Sequence, residues 1–274
     1  MYNLKKGEYM KELNFTVDKE KCTKCGLCKS DCLVNIIDTD SEGFPQVKNS
    51  SACIGCQHCF AICPTGAISV FGKNPQDSSD CKDMPNPVQL ENLIKMRRSC
   101  RQFKQENIDK ETLQKLKNIL NYTPTGVNYR GLHFTIVDCM DKMSTIKELL
   151  YKKLKFILKF IPLSGRLKGF KDAVLADKDV VFRNAPHMIV VSADKSAPCA
   201  DIDPVIALSY FEMYAQTLGI GTLWCGFAFK TLPLSKEVMK IINIPKNHKL
   251  SYVMLFGYPK VKYQRSVQPE SYEI

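Results

Sequence analysis

Eight of the thirteen cysteines stand in two copies of one spacing. Cys22, Cys25, Cys28 and Cys32 read Cys-x2-Cys-x2-Cys-x3-Cys, and Cys53, Cys56, Cys59 and Cys63 repeat it, offset by 31 residues as Cys22 is from Cys53. Thiolates are soft, charge-donating ligands, and the irons of a cubane take four of them in tetrahedral directions. Two-residue gaps let a tight loop aim three sulfurs at one cubane. Paired Cys-x2-Cys units also bind zinc, but zinc normally takes two such pairs per ion, not three evenly spaced cysteines and an outlier. A disulfide framework is the third reading. Met1–Met10 carries charges and no apolar run, so no signal peptide or oxidising compartment is expected. Two [4Fe–4S] clusters are the expectation, and with them transfer of single electrons.

Pro64 follows the last cysteine of the second copy. Over roughly Asn14 to Phe71 the chain resembles a bacterial dicluster ferredoxin, in which the fourth cysteine of each run crosses to the other cluster. Cys22, Cys25, Cys28 and Cys63 are assigned to cluster one, and Cys53, Cys56, Cys59 and Cys32 to cluster two. Leu33 stands where the first copy lacks the proline. Phe15–Val17 and Ala67–Val70 read as strands. Ile36–Ile37 and Gln46–Val47 flank a hairpin signal. Ile36, Ile54, Ile62 and Ile68 are expected to wall the clusters from water, which tunes reduction potential as well as packing. Gly26, Gly55 and Gly66 suit turns whose amides reach sulfur.

The 274 residues allow two domains. The expected division is a ferredoxin-like unit over 1–71, a linker over 72–88 rich in Pro, Ser and charge, and a larger domain over 89–274. The formal charge is +11, which two oxidised clusters with their thiolates would bring to roughly +7. Much of the excess is local: Lys147, Lys152, Lys153, Lys155, Lys159, Arg166, Lys168 and Lys171 stand against only Glu148 and Asp172. Basic patches meet nucleic acid, anionic membrane or acidic proteins. No nucleic-acid-binding signature accompanies this one, and no apolar stretch approaches a membrane span. A soluble cytoplasmic protein is expected, with no nucleic-acid partner.

From Val88 onward helical and strand patterns alternate without strict βαβ order, so the fold class expected is α+β. Ile108 and Leu113 bracket Asp109 as a staple around an N-cap. Asp203 is read as capping a long helix with Pro204 at its first position. Leu132–Val137, Met188–Ser192 and Leu250–Phe256 read as strands and Ser235–Ile242 as a short helix. No Gly-x-Gly-x-x-Gly follows a strand, which argues against a Rossmann domain.

Four stretches in this part could do chemistry. Arg97-Arg98-Ser99-Cys100-Arg101 ends a predicted helix, and guanidinium forks beside a hydroxyl make an anion site. Thr123-Pro124-Thr125-Gly126-Val127-Asn128 is a loop of small residues and an amide. Leu218-Gly219-Ile220-Gly221 leads into Leu223-Trp224-Cys225-Gly226. Gly257-Tyr258-Pro259 is followed by Arg265. In this order, over about Gln89 to Ser266, they resemble the FMN-dependent nitroreductase family. The resemblance implies that Arg97, Arg98, Ser99 and Arg101 bind FMN. Pro124, Thr125, Gly126 and Asn128 would come from the other subunit of a homodimer. Leu223, Trp224, Cys225 and Gly226 would present backbone N–H groups to the ring, and Arg265 would close on the phosphate. Arg130-Gly131-Leu132 and Tyr263 depart from the family pattern. The Lys147–Lys171 segment corresponds to the family's variable lid and competes with a solvated basic face.

Blander readings stand beside these. Arg97 and Arg98 could be a solvated helix end and Trp224 ordinary core. His133 and His187 are read as structural. Cys81, Cys100, Cys139 and Cys199 have no ligand spacing, and Cys225 is either backbone-only or a reactive thiol. The function expected is an iron–sulfur flavoprotein that passes electrons from two clusters to FMN and on to a small nitroaromatic, quinone or enone. The rivals are an NAD(P)H-dependent FMN reductase with accessory clusters, in place of a ferredoxin-type donor, and an electron-transfer or redox-sensing module without turnover.

Overall fold

The two cysteine runs fold as two copies of one backbone. A computed structural model describes residues 12–272, so the reading of Met1–Met10 and the start of the expected first domain lie outside the described residues. By contacts the chain divides into one unit reaching Pro85 and including Thr125–Arg130, and another made of Asn86–Pro124 and Gly131–Ile274.

The first unit runs β1 (Thr16–Val17), α1 (Leu27–Ser30), β2 (Ile37–Thr39), β3 (Pro45–Val47), α2 (His58–Ala61) and β4 (Ile68–Ser69). β1 pairs antiparallel with β4, and β2 with β3. The Asp40 carboxylate closes the hairpin turn by accepting from the backbone N–H groups of Glu42 and Phe44 at 2.9 and 2.8 Å. The helices α1 and α2 occupy the same place in each repeat, and so do the left-handed residues. Lys24 (φ 57°) matches Gly55 (67°), Gly26 (74°) matches Gln57 (62°), and Asn35 (52°) matches Gly66 (61°). Two of these positions are held by Lys and Gln, for which the left-handed region is strained by roughly 1–2 kcal/mol. The backbone path is thus kept even where the side chain opposes it.

The segment expected as an open linker carries two single 3-10 turns, Pro75–Asp77 and Cys81–Asp83. Asn74 and Asp80 side chains accept from Gln76 and Lys82 N–H, the local capping that favours such turns. The next helix, α3 (Pro87–Met96), begins inside the expected linker because Asn86 caps it and Pro87 takes its first turn.

The second unit continues with α4 (Lys110–Ile119), β5 (Leu132–Val137), α5 (Met140–Phe160), α6 (Gly165–Leu175), β6 (His187–Asp194), α7 (Asp203–Thr217), β7 (Gly221–Trp224), α8 (Gly226–Thr231), α9 (Lys236–Ile242) and β8 (His248–Gly257). Its sheet has the order β5-β6-β8-β7 with every neighbour antiparallel. Side chains alternate between its faces. Met188, Val190, Val253 and Leu255 join the core under α5, α8 and α9. Ile189, Val191, Met254 and Phe256 join the core under α4 and α7. Helices cover both faces, which is why β6 is buried almost end to end and reads in sequence as a continuous apolar run.

Asp109 caps α4 as expected, accepting from Thr112 N–H at 2.8 Å. Asp203 does not cap α7. It is the first helical residue, and Ile202 holds the cap position with a helical backbone, because Asp203 N–H already bonds to Cys199 O at 3.0 Å and Ile206 N–H to Ile202 O at 3.2 Å. In α5, Met143, Ile146, Leu150, Leu154 and Leu158 form the buried stripe. The basic segment is less one-sided than its local sequence suggests. Lys147 pairs with buried Asp179 at 3.1 Å and Lys155 pairs with Asp177, acids that lie beyond α6 in sequence.

Candidate functional site

Three of the four chemistry-bearing stretches meet at β7. The strand-like segment Arg97–Phe103 lies along it: Cys100 N–H donates to Thr222 O at 2.7 Å, and Ser99 bridges Thr222 in parallel. On the other side the chain beyond β8 holds the same segment. Lys104 N–H bonds to Tyr258 O at 2.8 Å, Lys260 N–H to Gln102 O at 2.9 Å, and Phe103 bridges Pro259. The Tyr263 hydroxyl donates to Ser99 O at 3.4 Å, which gives this departure from the family pattern a place in the same frame. The approach to β7 is close enough to require glycine at 221. A Cβ there would stand 2.7 Å from Cys100 Cβ and 2.9 Å from its Sγ.

Arg97 follows α3 and is about one-third exposed. One nitrogen, Nη1, donates to Glu212 Oε1 at 3.3 Å. The same carboxylate oxygen accepts from Thr222 Oγ1 at 2.9 Å, and Oε2 accepts from Trp224 Nε1 at 3.0 Å. Glu212 is buried and was not singled out from the sequence. Its signal there is a lone acid among Leu208, Phe211 and Ala215 on a helix apolar on nearly every side. Arg98 donates to Lys95 O at 3.0 Å, while its Nε is buried and without a hydrogen-bond partner. Ser99 is half-buried, and Arg101 and Arg265 are exposed. A cationic, donor-rich strip with one unsatisfied buried N–H fits an anionic ligand such as a phosphate ester.

Trp224 is half-buried and tilts against Tyr252, ring centroids 5.3 Å apart, so it is part of the core as well as of the strip. Cys225 has nothing to offer a ligand: its N–H bonds to Val253 O at 2.9 Å and its thiol donates to Val181 O at 3.1 Å. Burial pushes that thiol up from its ordinary range. The reactive-thiol reading therefore has no support, and of that stretch Gly226, first residue of α8, keeps a helix-end N–H. His187 is structural: its Nε2 accepts from Ile108 N–H at 3.0 Å and its ring stacks on Phe256.

Pro124 belongs to this second unit, whereas Thr125, Gly126 and Asn128 group with the first. There Asn128 Nδ2 donates to the carbonyl of Ile54, between Cys53 and Cys56, at 2.9 Å. Arg130 N–H donates to Thr125 Oγ1 at 2.9 Å. Val127, Asn128 and Arg130 all adopt positive φ.

The eight cysteines of the first unit ring two cavities. Cys32, Cys53, Cys56 and Cys59 line one with Ile36, Ile37 and Ile54. Cys22, Cys25, Cys28 and Cys63 line the other with Ile68. Ile62 lines neither, contrary to its expected role as a wall, because it follows α2 as its C-cap. Gly55 N–H reaches Cys53 Sγ at 3.4 Å and Ala67 N–H reaches Cys63 Sγ at 3.2 Å. Burial pushes Cys28 up, and burial followed by the neighbouring Cys56 pushes Cys59 up to about 11. Burial acts the same way on Cys63, but the Ala67 and Thr65 donors outweigh it and lower that thiol. Among the described residues no three His, Cys, Asp or Glu side chains are placed to hold one metal ion. Sulfurs spread around a cavity fit a polynuclear cluster better than a single zinc.

Residues 94–258, more than half of the chain, match the Nitroreductase family. The chain belongs to the nitroreductase family. Residues 14–64 match the 4Fe-4S dicluster domain. This nitroreductase-family chain is 28% identical over 181 residues to iodotyrosine deiodinase of Thermotoga neapolitana, covering 65% of itself and 94% of that protein. A 52-residue stretch is 33% identical to archaeal glutamate synthase [NADPH] of Archaeoglobus fulgidus, 19% of this chain and 10% of that one. Among solved structures, a nitroreductase with bound FMN from Bacteroides fragilis superposes with a TM-score of 0.56 at 22% identity, covering 69% of this chain and 99% of that one. An FMN-dependent nitroreductase from Clostridium difficile gives 0.53 at 21%, with 69% and 99% covered. These two likenesses are ones of fold.

Proposed function

We propose that this nitroreductase-family protein is an FMN oxidoreductase in which electrons enter through two [4Fe–4S] clusters and leave to a small unsaturated substrate of the nitroaromatic, quinone or enone type. The observation that carries the reading is the convergence of Arg97–Arg101, Leu223–Gly226 and the chain after β8 on one strand, in a chain that also rings two cavities with four cysteines each. FMN suits the junction because its chemistry couples one-electron to two-electron transfer.

The chain's own residues do the binding. Arg97, Arg98, Ser99 and Arg101 hold the phosphate and the ring edge, Arg265 closes on the phosphate, Gly226 offers its N–H to the ring, and Trp224 walls it. Pro124, Thr125, Gly126 and Asn128 serve the site of a second subunit in a homodimer. Cys22, Cys25, Cys28 and Cys63 hold one cluster, and Cys53, Cys56, Cys59 and Cys32 the other. No side chain is needed as a proton donor at the ring, where water suffices. The donor is a one-electron carrier of ferredoxin type. The thirteen cysteines, all unpaired, suit the reducing cytoplasm, and among the described residues no helix is long and apolar enough to cross a membrane.

Anaerobically isolated protein is expected to contain about eight iron atoms and one FMN per chain. It should turn over nitroaromatics, quinones, enones or an iodinated phenol with reduced ferredoxin. Stoichiometric zinc in place of iron would overturn the cluster reading. Equal rates with NADPH in protein lacking both clusters would overturn the donor.

A further inference from the structure

We infer that Glu212 is a positioning residue of the flavin site, which holds Arg97 and Trp224 in register and sets the charge felt by the ring. The inference rests on the FMN reading above. It starts from a buried carboxylate on α7 that accepts three hydrogen bonds from two separate stretches: Arg97 beyond α3, and Thr222 and Trp224 on β7. A carboxylate deep in a mostly apolar helix is costly unless paired and bonded, and each of its bonds here goes to the candidate site's frame. The apolar packing of α7 is carried by Leu208, Phe211 and Ala215.

Two consequences follow from chemistry. First, Glu212 fixes the only tryptophan of the chain by its indole N–H and one fork of Arg97, leaving the other guanidinium N–H groups for an anion. Side chains with this much rotamer freedom bind well only when something else has already ordered them. Second, the Glu212 charge offsets that of Arg97. Without it Arg97 is an uncompensated cation in a partly buried place, which favours added electrons on a neighbouring ring because electrostatics act strongly there.

The test compares wild type with Glu212→Gln and Trp224→Phe, all with their clusters reconstituted. Wild type is titrated first with FMN, and its lack of binding would sink the FMN reading itself rather than this inference. In Glu212→Gln one of the two accepting oxygens becomes an NH2, which opposes either the indole N–H or the Arg97 and Thr222 donors. FMN affinity is expected to fall about tenfold, Trp224 emission to shift, and the FMN midpoint potential to rise, with the cluster electron-paramagnetic signals unchanged. Trp224→Phe keeps the carboxylate and removes one donor, so it is expected to weaken FMN without raising the potential. Combining Arg97→Ala with Glu212→Gln should cost less than the sum of the two, since part of the Glu212 effect acts through Arg97. Wild-type FMN affinity and potential in Glu212→Gln, with only thermal stability reduced, would make the residue a structural strut and overturn the inference. If Glu212→Gln does not fold, Trp224→Phe decides, and unchanged FMN affinity in it overturns the inference as well.

Discussion

His187 is a buried base whose Nε2 is already taken by the Ile108 N–H. That bond needs a lone pair, so the ring must be neutral in the folded protein. Burial lowers its pKa below the ordinary histidine value, with the Val137 backbone and the Asp138 carboxylate opposing in part. The sign follows: the unfolded chain takes up a proton below about pH 6.5 and the folded one does not. Stability is therefore full above that pH and is lost as pH falls from there toward the depressed folded value. The thermal midpoint of wild type should drop from pH 7 to pH 5.5 more steeply than that of His187→Gln, which keeps an acceptor and does not titrate. Parallel slopes in the two proteins would show that His187 is not the group responsible.

At the scale of elements, the site depends on how closely one strand lets its neighbour approach. Segment 97–101 lies on β7 at a distance that Gly221 alone permits. Gly221→Ala should force the two apart at a cost of about 1–3 kcal/mol, as overpacking does. Thermal unfolding and FMN retention should both register the loss, and iron content should not. Because the obstruction is the Cys100 side chain, adding Cys100→Gly should recover much of both. If the double variant is no better than the single, the clash is elsewhere and the close-approach account fails. The same close packing appears where Gly257 meets Pro186, with Phe103 beside it.

At the scale of the molecule, each cysteine run places its last cysteine at the other run's cavity. Cys32 lines the cavity of the second run and Cys63 that of the first. Each loop is thus tied to the other's last cysteine, and among the described residues the cluster of the first unit holds Ile36, Ile37, Ile68 and Val70 around the cysteines, too small a core to be stable without such staples. Cys32→Ser should consequently resemble Cys56→Ser in its electron-paramagnetic spectrum and its iron loss, and differ from Cys25→Ser, although Cys25 is its neighbour in sequence. A Cys32→Ser spectrum that matches Cys25→Ser would mean that each run closes on its own cluster.

The sequence alone determined whatever is local or periodic. The cysteine spacing marks the three sulfurs that one tight loop can aim together, and the resemblance to a dicluster ferredoxin implied the sorting of Cys32 with the second run and Cys63 with the first. The strand Leu132–Val137 and the Asp109 cap follow from patterns a few residues long, and α+β from their order. What only the tertiary structure decided depends on partners far apart in the chain. Glu212 finds Arg97 more than a hundred residues away. Lys147 and Lys155 are neutralised by Asp179 and Asp177, which turns an apparent basic run into a partly paired one. Asp203 lost its expected cap because a preceding turn, invisible as a pattern, had already begun the helix. The Cys225 thiol, left by the sequence between a bystander and a reactive group, is buried against Val181. In each case residue type fixed what a group could bond to, and the packing of distant segments chose the partner it bonds to.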